Sequence, residues 1–389
     1  MLNKLVYITY QTFPADTANS LQTISNIKYF IKNQIKVDLF FPLRNSESTD
    51  KIEALQEFYD FKETFKCVGV KHPYPHGKIQ TFKAISFHLS HFLWAKRVTN
   101  NLASVYDKNT QFFTRSDWVA YFLAKKNLKV AFECHQTSKV RNYIIKKIKN
   151  YVNVKLIFLN ENLSKFYKNP ENSLIAHNGV DSEIFDKNKK EKNKNSIVFV
   201  GNLSRFNKSR GLESFIKYFS SKYLSGVFSF DIVGGPEKEA TKLKKIIEEN
   251  GLNSSISVHG RLSRKSTVEI IQKSYFGLLI NSKDNSHSYN FTSPLKYFEY
   301  LYGNLNVIAV DFPSHRLLPY SDRISFYDLD NEKSFINALK NVENIEPLNN
   351  KEKNSITLDT RVNKIIKFLN KNFADQNSIA KSRQNIKDI

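Results

Sequence analysis

The sequence has few of the residues that build metal sites, redox centres or disulfide frameworks. Only two of its 389 residues are cysteine, Cys67 and Cys134, and their spacing matches no metal-binding or redox motif. The nine histidines lack the spacing of zinc ligands. A P-loop, a nucleophile elbow and a G-x-G-x-x-G after the first predicted strand are all absent. We therefore expect no metal ion or cofactor, no standard dinucleotide fingerprint and a reducing compartment.

Long apolar runs are also absent. Apolar runs such as residues 197–200 and 276–280 have the length of β-strands. They are far shorter than the roughly 20 residues that a membrane-spanning helix needs. A strand is predicted close to the N-terminus, at residues 4–10, and we expect no signal peptide before it. These observations favour a cytoplasmic protein.

Acidic residues are scarce relative to basic ones. The chain has 59 Lys and Arg against 37 Asp and Glu, a formal net charge of +22. Residues 139–155 are basic and contain no acidic residue, and apolar residues recur among them at helical spacing. Such a helix suits an anionic membrane surface, here the inner face of the cytoplasmic membrane, with the protein attached peripherally. The alternative is a helix packed on a sheet with a solvated basic face.

Predicted strands and helices alternate in two series, which is typical of parallel α/β sheets covered by helices. We predict an α/β fold with two doubly wound Rossmann-like domains facing across a cleft. The domains are residues 1–185 and 197–355, joined by a charged linker at 186–196. A C-terminal helix at 356–373 returns to the first domain, and 374–389 form a polar tail. The predicted strands are residues 4–10, 37–41, 67–70, 111–114, 129–133 and 155–159, then 197–200, 228–233, 255–258, 276–280, 307–310 and 324–327.

The segment Ser293–Tyr300 carries the clearest signal for ligand binding. Ser293 is predicted as a helix N-cap, with Pro294 at the first helical position. Free backbone N–H groups and the helix dipole would then bind a phosphate or pyrophosphate. Glu299, about one and a half turns further along, would hold the hydroxyls of the same ligand. The alternative is an ordinary capped helix.

Two further groups of residues follow predicted strands of the second domain. Glycines there would let the backbone approach a nucleoside, and cations could neutralise a departing diphosphate. The alternatives are a solvated loop and ordinary strand-end glycines. The glycines are Gly201, Gly234 and Gly260, and the cations are Arg205, Lys208, Arg210 and Arg261.

In the first domain, Glu133 and His135 flank Cys134 at the end of a predicted strand. The carboxyl end of a parallel strand is where such sheets bind ligands, which favours a role for His135 in the site. A single histidine can equally be structural.

Taken in order, these segments resemble the retaining GT-B glycosyltransferases of family four, over most of residues 1–370. The Ser-Pro-Leu-Lys-x-Phe-Glu-Tyr run is similar to a subgroup often linked to bacterial surface polysaccharides. The other similar segments are 13–20, Arg115-Ser116, Glu133-Cys134-His135, Asn178-Gly179-Val180-Asp181 with Phe185, Val200-Gly201 with Arg210-Gly211, and 232–236.

The resemblance implies transfer of a sugar from a nucleotide-diphosphate sugar, either UDP- or GDP-linked, with no metal in the site. It places Glu299 near the nucleotide ribose and His135 near the transferred sugar. The partner of Glu299 in the family motif would fall at Phe291, so that glutamate is missing. The residues implied for the donor side also include Asn290, Thr292 and Lys296. Those implied for the acceptor side are Asn19, Ser20, Arg115, Glu133, His135 and Asn178.

We expect a hexosyltransferase of EC class 2.4 that acts on a glycan or lipid-linked glycan in cell-surface polysaccharide synthesis. His135, Glu299 and Arg210 are the expected catalytic residues, and the donor phosphates are expected to meet cations and the helix start. The alternative is a non-catalytic basic module of the same fold that binds anionic lipid or nucleic acid. If the protein is an enzyme of this class, we expect no nucleic acid partner.

Overall fold

The computed structural model describes residues 2–74, 83–185, 191–205, 208–284, 286–342 and 345–371, excluding the side chains of residues 83, 84, 205 and 208. These residues form two compact units. The first contains the described parts of Met1–Ala176 and Val362–Ile389, and the second is His177–Arg361. The predicted tail at 374–389 lies outside the described residues.

The first unit is a parallel sheet whose described strands lie in the order β3-β2-β1-β4-β5-β6-β7. The order reverses between β1 and β4, which makes the carboxyl ends of these strands the expected place for a ligand. The strands are β1 (Lys4–Ile8), β2 (Lys36–Leu43), β3 (Lys66–Lys71), β4 (Gln111–Thr114), β5 (Val130–Cys134), β6 (Val154–Phe158) and β7 (Ser173–Ile175).

Helices occupy the connections between these strands, as the alternation in the sequence predicts. The central strands β1, β4, β5 and β6 are buried along almost their whole length, because helices cover both faces of a parallel sheet. The helices are α1 (Ala18–Lys32), α2 (Ile52–Tyr59), α3 (Lys83–Val105), α4 (Asp117–Lys125), α5 (Lys139–Ile148) and α6 (Glu161–Phe166).

The apolar stripe of α5 faces the core, so the packed alternative holds for most of the basic segment. Arg141 is also buried, and its Nε lies 2.5 Å from Oδ1 of Asp117. What α5 exposes is a basic face with one half-exposed aromatic ring, Tyr143. The buried isoleucines are Ile144, Ile145 and Ile148, and the exposed lysines are Lys139, Lys146 and Lys147.

The C-terminal helix α15 (Leu358–Asn370) begins in the second unit, and its residues after Arg361 belong to the first. Its last turn is held by Lys155 of β6, which is buried. The Lys155 ammonium donates to the carbonyl oxygens of Phe368, Leu369 and Lys371, at 2.8, 3.0 and 2.6 Å. A cation at these carbonyls satisfies acceptors that the helix end leaves open.

The second unit has a parallel sheet in the order β12-β11-β8-β13-β14-β15, with the strand order reversing between β8 and β13. A two-stranded hairpin, β9–β10, follows β8. The strands are β8 (Asn193–Val200), β9 (Ser204–Arg205), β10 (Lys208–Ser209), β11 (Ser229–Val233), β12 (Ile256–Gly260), β13 (Ser274–Leu279), β14 (Asn306–Val310) and β15 (Ile324–Tyr327).

The helices of the second unit pack around a largely aromatic and aliphatic core on this sheet. None of the helices in the described parts of either unit is long and apolar enough to cross a membrane. The helices are α7 (Leu212–Lys217), α8 (Glu237–Glu249), α9 (Arg264–Lys273), α10 (Ser286–Asn290), α11 (Leu295–Tyr302), α12 (Pro313–Arg316), α13 (Glu332–Val342) and α14 (Asn350–Ser355).

The charged segment predicted as a linker at 186–196 is not a linker throughout. Its last four residues open β8, where Asn193 pairs with Ser274 of β13. Lys192 donates to the carbonyl oxygens of Gln272 and Ser274, at 3.2 and 2.6 Å. Backbone pairing needs no apolar side chain, so composition alone misplaced this boundary. Residues 186–190 of the predicted linker lie outside the described residues.

Candidate active site

In the second unit, three predicted glycines meet at the carboxyl ends of β8, β11 and β12. The N–H of Gly201 donates to the carbonyl of Val233 at 2.9 Å, and that of Gly234 donates to the carbonyl of Gly260 at 2.7 Å. A Cβ atom on Gly234 would lie 1.8 Å from the carbonyl oxygen of Gly201, and Gly234 has a φ of +153°. The two loops therefore approach closely enough to require glycine.

Arg210 lies beside the switch point of the second sheet. Its Nη1 donates to Oδ1 of Asn281, at 2.7 Å, and Asn281 is buried just beyond β13. Arg261 is exposed and lies across Gly235, since a Cβ on that glycine would fall 2.6 Å from Arg261 Nε. The backbones of Arg205 and Lys208 pair in the β9–β10 hairpin. Their side chains lie outside the described part of the chain.

The start of α11 differs from the prediction by one residue. The helix begins at Leu295, and Pro294 is the N-cap, with no side-chain hydrogen bond. Ser293 is not the cap, because its oxygens bind elsewhere: Oγ accepts from the N–H of Asn178 at 3.1 Å, and its carbonyl accepts from Asn178 Nδ2. The residue before a proline is also held extended.

Asn178 therefore belongs to the second unit, where it contacts Ser293, whereas the other predicted acceptor residues belong to the first unit. Thr292 is buried next to Ser293, and Asn290 ends α10 in a half-buried position. Phe291 is buried. The position where the resemblance expects a glutamate is thus filled by an apolar ring.

Lys296 is only 8% exposed, and its ammonium lies 3.6 Å from the centre of the Phe199 ring on β8. A cation over an aromatic face is attracted by the ring quadrupole, and removal from water strengthens the attraction. Lys296 is thus fixed within the second unit near the ends of β8 and α11.

Glu299 forms an ion pair with Nη2 of Arg264, at the first residue of α9. The carboxylate is almost fully buried and the guanidinium is about one-third exposed. Sequence reasoning did not find Arg264, because nothing in the α9 segment distinguishes it from a solvated arginine.

His315 is a second residue that the sequence analysis did not assign. It lies just after β14, is fully buried, and its Nδ1 is 2.8 Å from the carbonyl oxygen of Val310. Burial, with Lys296 as a smaller contribution, lowers the pKa of His315 from 6.5 to about 4. The ring is therefore neutral at physiological pH and donates its Nδ1 hydrogen to that carbonyl.

The stability of the second unit should consequently fall with acid. Between pH 6.5 and 4, the unfolded chain binds a proton at His315 that the native chain does not, so the free energy of unfolding decreases. A pKa difference of this size corresponds to about 3 kcal/mol. Urea unfolding across this range should show the loss, and His315→Gln, which can keep the bond to Val310, should show a smaller one. Equal pH dependence in both proteins would contradict the assignment.

In the first unit, Arg115, Glu133 and His135 come together at the ends of β4 and β5. Arg115 Nη2 lies 2.7 Å from His135 Nδ1, and His135 Nε2 lies 3.1 Å from Oε2 of Glu133. Arg115 Nε is 3.7 Å from the same carboxylate oxygen, and Glu133 is fully buried. Because a guanidinium only donates, Nδ1 accepts and the imidazole hydrogen is on Nε2, facing Glu133.

The loop after β1 joins this group. Asn19 accepts from Arg115 Nη1 through its carbonyl oxygen, at 3.4 Å. Ser20 is buried in the first turn of α1, where its N–H donates to the N-cap Thr17 Oγ1 at 3.1 Å. Four of the predicted acceptor-side residues therefore lie at the switch point of the first sheet, and Ser20 has a capping contact there.

Nowhere in the described residues do three or more His, Cys, Asp or Glu side chains come together as a metal-binding group. The groups that are present offer electrostatic and hydrogen-bonding contacts: cations and closely approaching backbone in the second unit, and an imidazole between a guanidinium and a carboxylate in the first.

The family Glycosyl transferases group 1 matches residues 180–316, which include the glycine loops, Arg210 and all of α11. No curated protein matches the chain by sequence.

Solved structures match over most of the length of the chain. A glycosyltransferase from Rickettsia africae has a TM-score of 0.67 at 13% identity, covering 96% of this chain and 99% of that one. Anabaena HepE in complex with UDP has a TM-score of 0.62 at 10% identity, covering 99% and 100%. The lipopolysaccharide outer core galactosyltransferase WaaB, in its apo form, has a TM-score of 0.59 at 13% identity, covering 93% and 99%.

These structures confirm the predicted fold class of two Rossmann-like domains, seen in GT-B proteins. The match of residues 180–316 to the glycosyl transferases supports a transferase of EC class 2.4.

Proposed function

We propose that the protein transfers a sugar from a nucleotide-diphosphate sugar to a glycan or lipid-linked glycan, with retention of the anomeric configuration. The observation that carries the proposal is the switch point of the second sheet. There the glycine loops allow close backbone approach, and Arg210 is held by buried Asn281. Parallel sheets bind ligands at this position. The UDP bound to HepE and the UDP-2-fluoro glucose bound to the E. coli trehalose-6-phosphate protein support the same donor class.

In the proposed reaction, the bond between the anomeric carbon and the diphosphate breaks through an oxocarbenium-like transition state. Arg210, Lys296 and the backbone at the start of α11 stabilise the negative charge that develops on the departing nucleotide diphosphate. Arg205 and Lys208 belong to the β9–β10 hairpin and Arg261 follows β12, and these cations would add to that stabilisation. The acceptor hydroxyl attacks from the face that the diphosphate leaves, and its proton passes to a phosphate oxygen.

The remaining residues have proposed binding roles. Glu299 accepts hydrogen bonds from the ribose hydroxyls, either in place of its contact with Arg264 or in addition to it. Asn290, Thr292, Ser293 and Pro294 form the backbone around the donor sugar. His135, oriented by Arg115, contacts the transferred sugar.

Nucleotide binding can be measured directly by thermal unfolding. A ligand that binds only the folded state raises the melting temperature, so UDP or GDP should do so. Arg210→Ala should weaken that binding about tenfold, equivalent to about 1.4 kcal/mol, because a charge-assisted contact to phosphate is lost. Arg323→Ala is the matched control, since Arg323 precedes β15 and lies at the opposite edge of the sheet. No rise with either nucleotide would instead favour the non-catalytic binding module.

The proposal also places the protein in surface polysaccharide synthesis, on the inner face of the cytoplasmic membrane. The exposed lysines of α5 give the first unit a basic surface. Next to it, exposed Ile85 and Leu89 of α3 line a cavity of about 380 Å³ with Trp118 and Val140. Basic and apolar groups side by side suit an anionic lipid surface.

Replacing Lys139, Lys146 and Lys147 with glutamine should lower binding to anionic vesicles about tenfold, with an effect that fades at high salt. Vesicle co-sedimentation measures it. The matched control changes three exposed lysines of α8 in the second unit, Lys238, Lys244 and Lys245, to glutamine and should bind as the parent protein does. Equal losses in the two variants would show that only total charge matters.

A further inference from the structure

A second group of polar side chains lies at the carboxyl edge of the first sheet, outside the residues considered so far. We call it the Arg44 cluster, and define it as Tyr10, Thr12, Arg44, His72 and His91. Tyr10 and Thr12 follow β1, Arg44 follows β2 directly, and His72 follows β3 directly. His91 comes from α3 and packs against the same edge. Three neighbouring strands and α3 thus bring these side chains to one edge of the sheet.

Arg44 is the centre of the cluster. Its guanidinium stacks on the Tyr10 ring, with Cζ 3.9 Å from the ring centre. Nη2 donates to the Tyr10 carbonyl at 2.6 Å, and Nη1 donates to Thr12 Oγ1 at 3.2 Å. These contacts fix the plane of the guanidinium and use two of its five N–H groups.

No carboxylate in the described parts of the chain forms an ion pair with Arg44. Burial lowers the pKa of Arg44 from its ordinary value, with Tyr10 acting in the opposite direction, so the charge is partly removed from water. A desolvated charge is costly unless it is paired. The native protein carries that cost at a sheet edge where ligands bind, which points to an anion that is supplied from outside.

The neighbours of Arg44 add donors without adding much charge. Burial raises the pKa of Tyr10 to about 12, so its hydroxyl keeps its hydrogen, and that hydroxyl lies 2.7 Å from His72 Nε2. His91 stacks on Tyr10 at 4.0 Å, and its pKa is lowered by burial and then by Arg44, so its ring is neutral.

His91 also connects the cluster to the group at the switch point. Its Nε2 lies 2.6 Å from Oγ of Ser116, and Ser116 follows Arg115, which contacts His135. An anion on Arg44 would therefore lie on the same edge as the residues proposed for the acceptor.

We propose that the Arg44 cluster binds a phosphoryl group carried by the acceptor. A planar guanidinium pairs well with phosphoryl oxygens. A tetrahedral phosphoryl group presents enough oxygens to accept from Arg44, the Tyr10 hydroxyl and an imidazole together, whereas a carboxylate presents two. The acceptor assignment rests on the proposed function, and the phosphoryl site itself does not.

The test is thermal unfolding with saturating UDP present, so that the proposed donor site is filled before a second ligand is added. The probes are inorganic phosphate, a hexose phosphate and a soluble isoprenyl phosphate. We expect at least one phosphate ester to raise the melting temperature, with an affinity that falls about tenfold in Arg44→Gln and less in Arg44→Lys. Arg97→Gln, at an exposed arginine of α3 in the same unit, should match the parent protein.

The outcomes separate cleanly. Binding of the hexose phosphate would identify a phosphate carried by a saccharide, and binding of the isoprenyl phosphate would identify one carried by a lipid. A response that is absent, or unchanged in Arg44→Gln, overturns the phosphoryl site, and a response to inorganic phosphate alone overturns the acceptor assignment. The UDP response, recorded separately, tests the proposed function. If Arg44→Gln does not fold, a phosphate soak of the parent crystals decides: density away from Arg44 overturns the proposal.

Discussion

Gly234→Ala should abolish nucleotide binding and destabilise the second unit by more than about 3 kcal/mol. An alanine there suffers two penalties. Its φ of +153° lies in a region that side chains rarely adopt, which costs about 1–3 kcal/mol. Its Cβ would also lie 1.8 Å from the Gly201 carbonyl oxygen, so one of the two loops must move. Moving either loop displaces the backbone proposed to meet the nucleotide.

Gly201→Ala is the matched control. Gly201 has a φ of +139°, but a Cβ there would meet no other atom within 4 Å. It should therefore show the backbone penalty without the collision, and unfold at a temperature between those of the parent and Gly234→Ala. Differential scanning calorimetry measures the three melting temperatures. Equal decreases in the two variants would mean that the close approach of the loops does not matter.

Glu299→Ala should reduce transfer about ten- to a hundred-fold, judged by kcat/KM for the donor. The expected loss of roughly 1.5–3 kcal/mol is that of a hydrogen bond to a charged group. The Glu299 carboxylate also pairs with Arg264, so Glu299→Ala removes that ion pair as well as the proposed contact with the ribose. Removing the carboxylate leaves that guanidinium without its partner.

A double-mutant cycle separates the two roles. If Glu299 acts only through Arg264, then Arg264→Ala should be as harmful as Glu299→Ala, and the double variant no worse than either. If Glu299 contacts the ribose, Glu299→Ala should raise the donor KM well beyond Arg264→Ala. Melting temperatures of all four proteins identify losses caused by unfolding. Normal kcat/KM in Glu299→Ala would remove this residue from the site.

The sequence could predict the parts of the fold that depend on local pattern. Alternating strands and helices gave both parallel sheets, and glycines placed after strands gave the meeting point of Gly201, Gly234 and Gly260. The position of Glu133 and His135 at one edge also followed, because strand ends in a parallel sheet share one edge, whereas Arg115 was implied only by the family resemblance.

What the sequence could not predict depends on contacts between distant segments. Ser293 has the composition of an N-cap, but Asn178, over a hundred residues away in the chain, takes both of its oxygens. The apolar stripe of α5 has the same period in a helix that lies on a membrane surface and in a helix that packs on a sheet. Only the contacts of α5 with the rest of the first unit distinguish the two. The residues next to Arg264 and Arg44 in the sequence do not distinguish them from other arginines. Arg264 is notable because it pairs with Glu299, and Arg44 because no carboxylate among the described residues pairs with it.

The course of the chain has a consequence for biosynthesis. The first unit is interrupted at Ala176 and completed only from Val362 onward, where the last turn of α15 and the residue after it, Lys371, supply the three acceptors of Lys155. Proteins usually fold from the N-terminus as they leave the ribosome. Here the N-terminal part of the first unit is synthesised first, but the unit is completed only after the entire second unit has been translated. Until then the Lys155 ammonium lacks those three acceptors.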